Sequence, residues 1–506
     1  LLRHSGQLLH LSLPVRAVLA FGAGIASLFA FAPFDLYPLA VAAPAVLFWL
    51  WCHSTPRQAL LGGWLFGVGL LGPGVSWLHI SIDQFGNVGT PLAILITLLF
   101  ILSLALFYGL AGWLGRRLLP HASAAVSLLL FSLLWVLMEW LRGWLLSGFP
   151  WLSLGYSQAD SPLAGWGPLL GVYGISTLLL LSAALLLLLI SGQWRQRLLA
   201  LAGLLLIWLA GPALQRVEWV APAGAPLRVS IIQGNVPQAE KWKSENLTPT
   251  LQLYRQLTRQ AADADLIIWP ETAVPSFAGR MEKRLLLPLD EEMRTRKASL
   301  LLGIAEWDRD GGAYYNSMLA LGGERASYRK RHLVPFGEYM PFKGLLQPVI
   351  DWLQIPMSDF TPGASGPPLL TLAGYPAGIS ICYEDAFGSE MIQALPQAAF
   401  LVNASNDAWF GDSLALPQHL QMARMRALES RRYLLRATNT GISAIIGPDG
   451  TLLGVSPTFQ RYVLSGVILP LQGLSPYARF GNWPLITGLL LVVGLLLWRR
   501  PSSPVL

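Results

Sequence analysis

The chain has 506 residues, 54% of them hydrophobic and only 12% charged, which is too apolar for an ordinary soluble protein and points to a membrane protein. Its two cysteines, Cys52 and Cys382, stand far apart in unlike surroundings, which argues against a disulfide framework or a cysteine-rich metal site. Residues 212–480 hold 25 Lys/Arg against 24 Asp/Glu, so almost all of the +7 net charge lies in the hydrophobic segments and reports membrane orientation rather than nucleic-acid binding.

Apolar runs near 16–33, 37–52, 58–78, 91–114, 123–141, 168–191, 197–211 and 482–498 predict about eight spans. The first, second and seventh are short or broken by Gly and Pro. A cleavable signal peptide is the alternative for the first, but its flank lacks a small-residue cleavage site and further spans follow directly. With eight spans, Arg3 and Arg16, Arg57, Arg116 and Arg117, Arg195 and Arg197, and Arg499 and Arg500 all fall on one side, with Arg142 the main exception. The positive-inside rule then puts both termini in the cytoplasm and the segment 212–480 in the periplasm of a Gram-negative inner membrane. A lone thiol survives in that oxidising compartment when no second cysteine is near.

The loop at 142–167, with Gly148-Phe-Pro-Trp-Leu152 and Gly155-Tyr156-Ser-Gln158, is rich in aromatic and turn residues. It reads either as an interfacial aromatic belt or as the floor of a lipid-facing cleft. Glu139 is costly against lipid and is expected to face the bundle or the headgroups.

Past Gly211-Pro212 the composition changes. Strands are predicted at 227–236, 264–271, 299–306, 314–321, 375–383, 398–405, 433–446 and 462–469, and helices near 247–262, 281–297, 386–395 and 417–432. The expected organisation is a transmembrane domain over 1–211 with seven spans, an α+β or α/β domain over 212–480, an eighth span over 481–500, and a cytoplasmic tail over 501–506. Gly447-Pro-Asp-Gly450 reads as a turn. The segment 338–366, with four prolines among Met340, Phe342, Leu345 and Leu346, reads as a long, partly apolar lid that touches the bilayer.

Three polar residues close apolar strands or sit in turns where a core has no use for them. Glu271 ends Asp265-Leu-Ile-Ile-Trp-Pro-Glu271, Lys330 lies in Tyr328-Arg-Lys-Arg-His-Leu-Val-Pro-Phe-Gly-Glu338, and Cys382 ends Gly378-Ile-Ser-Ile-Cys382. Singly, these could be a helix cap, a solvated charge and a buried small residue. Together they suit nucleophilic catalysis. Cys382 attacks, Glu271 takes its proton, and Lys330 with the Tyr383 N–H stabilises the oxyanion, a contribution of about 3–4 kcal/mol per donor. Glu338 holds Lys330 or accepts a proton from an incoming amine. His332 and His419 read as structural.

Trp-Pro-Glu271, Lys330 with Pro-Phe-Gly-Glu338, and Cys382-Tyr-Glu384 resemble the nitrilase superfamily, whose fold is an α-β-β-α sandwich. With the eight spans, Gln233-Gly-Asn-Val-Pro-Gln238, Lys241-Trp242 and Ser405-Asn-Asp-Ala-Trp-Phe-Gly411, the chain is similar to bacterial apolipoprotein N-acyltransferases over nearly its whole length. That resemblance implies a ping-pong transfer of the sn-1 acyl chain of a phospholipid, typically phosphatidylethanolamine, through a Cys382 thioester to the α-amine of a diacylglyceryl-cysteine apolipoprotein. It also implies substrate contacts at Trp242, Tyr383, Glu384, Trp409 and Phe410. The expected partners are the phospholipid donor, the apolipoprotein acceptor and the bilayer, with no cofactor, no nucleic acid and a monomeric enzyme. The nearest rival is a membrane-tethered nitrilase-type amidase with water as second nucleophile. A transporter with an accessory domain would need charges within the spans, whereas Asp35, Asp83, Glu139 and Asp160 lie at ends or in loops.

Overall fold

The computed structural model describes residues 11–86, 88–308, 311–341, 344 and 359–498. Phe342, Leu345, Leu346 and most of the expected lid lie outside them, as do Arg3, Arg499, Arg500 and the tail. The chain divides into two compact units, one of residues 1–79, 91–217 and 480–506, the other of residues 80–90 and 218–479.

Among the described residues, five helices are long and apolar enough to cross a membrane: Pro56–Val75, Thr90–Leu118, Ala124–Arg142, Pro162–Ser191 and Trp194–Gln215. The apolar helices Leu13–Leu28, Leu39–Cys52 and Trp483–Trp498 stand where the remaining runs were predicted, but are only 14–16 residues long. Small residues let neighbouring backbones approach. A side chain at Gly63 would meet the Tyr108 carbonyl at 2.4 Å, and one at Gly67 would meet the Ala105 Cα at 2.8 Å. The helix expected to end at 211 runs through Pro212 to Gln215.

Glu139 faces the bundle. Its Oε1 accepts from the Trp135 indole and the Leu154 N–H, both at 3.1 Å, while Arg142 donates to the Trp151 carbonyl at 2.7 Å. These buried charges draw the following loop inward, so Trp151, Leu154, Tyr156 and Gln158 are buried. That differs from an aromatic belt or an open cleft floor; within this stretch the exposed apolar residues are Trp144, Leu145 and Leu146.

The second unit is a four-layer sandwich. One sheet runs, in spatial order, Leu452–Val455, Ala444–Ile446, Leu434–Thr438, Phe400–Ser405, Tyr375–Ile381 and Leu369–Leu372. The other runs Tyr462–Ile468, Leu227–Gln233, Leu266–Ile268, Ser299–Asp308, Ala313–Leu321 and Ala326–Arg329, with Val274–Phe277 paired to Ser299–Asp308 off this path. The alternation of side chains along a strand decides the layers. Val229, Ile231, Leu266, Ile268 and Leu301 join Ile379, Ile381 and Val402 between the sheets. Ile232, Ile267, Leu300 and Leu302 instead meet Leu251, Tyr254, Leu289 and Met293 of the helices Ser244–Gln260 and Leu287–Arg296. On the opposite face Leu401 and Leu434 pack under Leu420, Ala423 and Ala427 of Ala415–Ser430. The expected single strand at 433–446 is two, because Asn439 to Ile442 turns the chain back and the second strand pairs antiparallel. The Gly447–Gly450 stretch is the turn it was expected to be.

Candidate active site

Three strand ends converge on one thiol. The strand Tyr375–Ile381 delivers Cys382 and the chain then bends into the short turn Cys382–Ala386. Cys382 takes a φ of 53°, a left-handed conformation that costs a non-glycine residue about 1–3 kcal/mol and persists only where the surroundings fix it. Asn403 Nδ2 donates to the Cys382 carbonyl at 3.1 Å, and the Ile381 N–H donates to Glu384 Oε2 at 2.7 Å. The elbow is thus held on both sides.

Glu271 follows Leu266–Ile268 and Lys330 follows Ala326–Arg329. The buried Lys330 Nζ lies 2.8 Å from Glu338 Oε1 and 3.7 Å from Glu271 Oε1. Asn316 Nδ2 joins the two carboxylates, donating to Glu271 Oε1 at 2.7 Å and to Glu338 Oε1 at 3.1 Å. Glu338 Oε2 accepts the Val334 N–H at 2.8 Å, which closes off that carboxylate. Among the described residues, Glu271 Oε2 is left buried without a hydrogen-bond partner. The described root of the 338–366 loop is tied down here, since Phe360 N–H donates to the Glu338 carbonyl at 3.0 Å and Gly363 N–H to that of Lys330 at 2.8 Å.

The charges follow from this packing. Burial pulls Lys330 down, but Glu338 and Glu271 outweigh it and hold the ammonium above the usual lysine range. Burial pushes Glu271 up, Lys330 opposes it, and Glu338 adds to the rise. Burial also pushes the Cys382 thiol up, aided by Glu271 and opposed by Lys330, so the resting group is neutral. A buried neutral thiol is also slow to oxidise.

The structure brings Cys382, Glu271, Lys330 and Glu338 together; the other expected residues lie around them. Tyr383 is half-buried and meets Phe387 edge-on at 5.0 Å. Glu384 has both oxygens engaged, accepting from Tyr328 Oη at 2.9 Å, Arg331 N–H at 2.7 Å and His332 N–H at 3.1 Å besides Ile381. It thereby ties the Lys330 loop to the cysteine elbow, a positioning geometry. Trp242 is half-exposed at the end of Gln238–Lys241. Trp409 and Phe410 end the turn Asp407–Phe410, with Trp409 edge-on to Phe85 at 4.4 Å. His332 lies 2.6 Å from Glu390 and stacks on Phe387.

Behind the thiol is a charged network that sequence reading missed. Arg436 donates to Asp385 at 3.1 Å and to Asp407 at 2.9 Å, and His419 contacts the same two carboxylates at 2.8 and 3.1 Å. Ser405 donates to Asp407 at 2.7 Å. Asn316 was missed as well, and Lys241 entered only within the Lys241-Trp242 motif, with no role of its own. A signal existed for Asn316, which with Ser317 interrupts an otherwise apolar buried stretch of Ala313–Leu321.

Residues 23–185 match the family model described as the apolipoprotein N-acyltransferase N-terminal domain, and residues 228–470 match that of carbon-nitrogen hydrolases. The chain is 47% identical over 487 residues to an apolipoprotein N-acyltransferase of Methylococcus capsulatus, covering 96% of both chains. It is 46% identical to one of Nitrosomonas europaea, covering 95% of this chain and 97% of the relative. It is 45% identical to one of Azotobacter vinelandii, covering 96% and 95%.

Proposed function

From the premise that the chain belongs to the apolipoprotein N-acyltransferase family, we propose that it moves the sn-1 acyl chain of a phospholipid, such as phosphatidylethanolamine, to the N-terminal amine of a diacylglyceryl-cysteine lipoprotein by way of Cys382. It is an acyltransferase built on a nitrilase-type sandwich. The observation that carries the reaction scheme is the buried Glu271 carboxylate beside Lys330, whose Oε2 has no hydrogen-bond partner among the described residues and whose charge acts on the buried Cys382 thiol.

In the first half-reaction Cys382 Sγ attacks the ester carbonyl as its proton passes to Glu271. The oxyanion gathers near the Lys330 ammonium and the Tyr383 N–H, in surroundings where such donors contribute about 3–4 kcal/mol each. As the intermediate collapses, the departing glycerol oxygen takes the proton from Glu271, lysophospholipid leaves and a thioester remains. In the second, the acceptor amine gives a proton to Glu271 and attacks the thioester, and the thiolate is expelled and reprotonated from Glu271. Glu338 and Asn316 keep Lys330 and Glu271 in register throughout. Trp242, Tyr383, Trp409 and Phe410 contact substrate, and Glu384 holds the elbow.

The same reading extends to the membrane. Among the described residues, five helices of spanning length and three shorter apolar helices stand at the eight apolar runs, with arginines in alternate loops. This supports an eight-span inner-membrane protein with cytoplasmic termini and the sandwich, about 212–480, in the periplasm. The active unit in this reading is a monomer.

Mixing enzyme with phosphatidylethanolamine and no acceptor should release one equivalent of lysophospholipid and then stop. Adding a diacylglyceryl-cysteine peptide should restore turnover with ping-pong kinetics. Continuous release without acceptor, together with cleavage of simple amides, would instead support the water-using amidase.

A further inference from the structure

We propose that Lys241 is a positioning residue for this acyl transfer, a buried cation that clamps the turn carrying Glu271 and sets the charge state of its carboxylate. The proposal rests on Glu271 being the proton acceptor in the reaction above. Lys241 ends the short helix Gln238–Lys241 and is 1% exposed. Its Nζ donates to Thr272 Oγ1 at 2.7 Å and to the Glu271 carbonyl at 3.3 Å.

Two features of the turn give this contact meaning. Thr272 has a φ of 47°, where a β-branched residue is an outlier that survives only when its surroundings over-determine it. Lys241 supplies that constraint from one side and the strand Ser299–Asp308 from the other, where Gly303 leaves no room for a side chain: a Cβ would lie 2.3 Å from the Pro270 carbonyl and 2.4 Å from the Thr272 nitrogen. The second feature is charge. Both acceptors of Nζ are neutral, and burying an ammonium without a bonded counter-ion is expensive. Its electrostatic counterpart is Glu271.

The charged and titratable groups acting on Glu271 are Lys330, Glu338, Lys241 and the Cys382 thiol. On its own segment Glu240 is occupied by Lys243 at 2.6 Å. Lys330 is shared with Glu338, so Lys241 is a second cation opposing the rise that burial imposes on Glu271. Burial lowers Lys241 to about 8, with Glu271 opposing the fall. Because Trp242 follows directly, the clamp also links that exposed ring to the base.

The test is the pH profile of single-turnover lysophospholipid release from phosphatidylethanolamine, without acceptor, by the full-length wild type, K241R and K241Q. The acidic limb follows Glu271. In K241Q, which keeps a hydrogen-bonding side chain but no charge, the limb should move up by about one pH unit; in K241R it should stay at the wild-type position. A K241Q limb that does not move, or a K241R limb that moves as far, overturns the proposal. Should K241Q fail to fold, judged by its Tm in detergent, T272V takes its place. It removes the Oγ1 acceptor and keeps every charge, so the maximal single-turnover rate constant should fall about tenfold with the half-saturating donor concentration and the limb unchanged; a wild-type rate constant in T272V overturns the clamp. A wild type that releases no lysophospholipid overturns the underlying reaction, whereas a releasing wild type with an unmoved K241Q limb overturns only the clamp.

Discussion

Glu271 works beside a second carboxylate, and the balance of charge around it sets its behaviour. Lys330 and Glu338 neutralise one another at 2.8 Å, so Glu271 bears the cost of burial and its proton affinity rises. A base with a raised pKa is active above that value and loses activity as pH falls through it. Acylation should therefore decline on acidification with a midpoint above the ordinary glutamate value of about 4.3, as a pH series of lysophospholipid release would show; a midpoint at the ordinary value contradicts the burial argument. Glu271→Gln should remove this limb and slow acylation about 10²- to 10⁴-fold. Gly303→Ala probes the same turn from behind. Its Cβ has no space against residues 270–272, and displacement of the base by an ångström should cost about 10²-fold in acylation rate. Glu271, Lys330, Glu338 and Cys382 were legible because each is a polar or nucleophilic residue at the end of an apolar run or in a turn. Lys241 and Asn316 were not, since each acts through contacts that only the folded chain makes.

At the scale of elements, the site depends on strands that stop in the right place and on polar ties between their ends. Glu384 shows the second kind, with four donors from two segments meeting one carboxylate. The Asp385–His419–Asp407–Arg436 network does the same beneath the elbow. Burial raises Asp407, but Arg436 and His419 outweigh it and hold it well below the usual carboxylate range. Burial and Arg436 lower His419, and Asp385 and Asp407 outweigh both. Asp407 thus adds stability that is present above its unfolded pKa of about 3.9 and is lost as pH falls through the lower folded value. His419 adds stability that is full below about 6.5 and is lost as pH rises through its raised folded value. Arg436→Leu leaves two buried carboxylates facing one imidazole and should destabilise the sandwich by about 3–5 kcal/mol, read as a lowered Tm and faster thermal inactivation. An unchanged Tm would mean the network contributes nothing net. The strands and helices that bury one face were legible from period and composition. Ala326–Arg329 and Leu369–Leu372 escaped because four-residue strands are too short to display a period.

For the whole molecule, composition leads to the expectation of a membrane part and a separate α+β or α/β part, and the folded chain clusters into two compact units. Residues 80–90 lie between apolar helices in sequence yet group with the sandwich. No composition rule reveals that, because it is set by tertiary packing such as Phe85 against Trp409. The proposed orientation can be read directly. A cysteine at Gly312 should react with a membrane-impermeant maleimide in intact spheroplasts, and one at Arg195 should react only after lysis; the reverse pattern would invert the topology. Acyl transfer requires the thiol to act as an acyl carrier, and intact mass tests that most directly. After incubation with phosphatidylethanolamine and no acceptor, the wild type should gain the mass of one acyl chain, Cys382→Ala should gain none, and a diacylglyceryl-cysteine peptide should discharge the adduct. A wild type that stays unmodified, or an adduct that persists in Cys382→Ala, would contradict transfer through this cysteine.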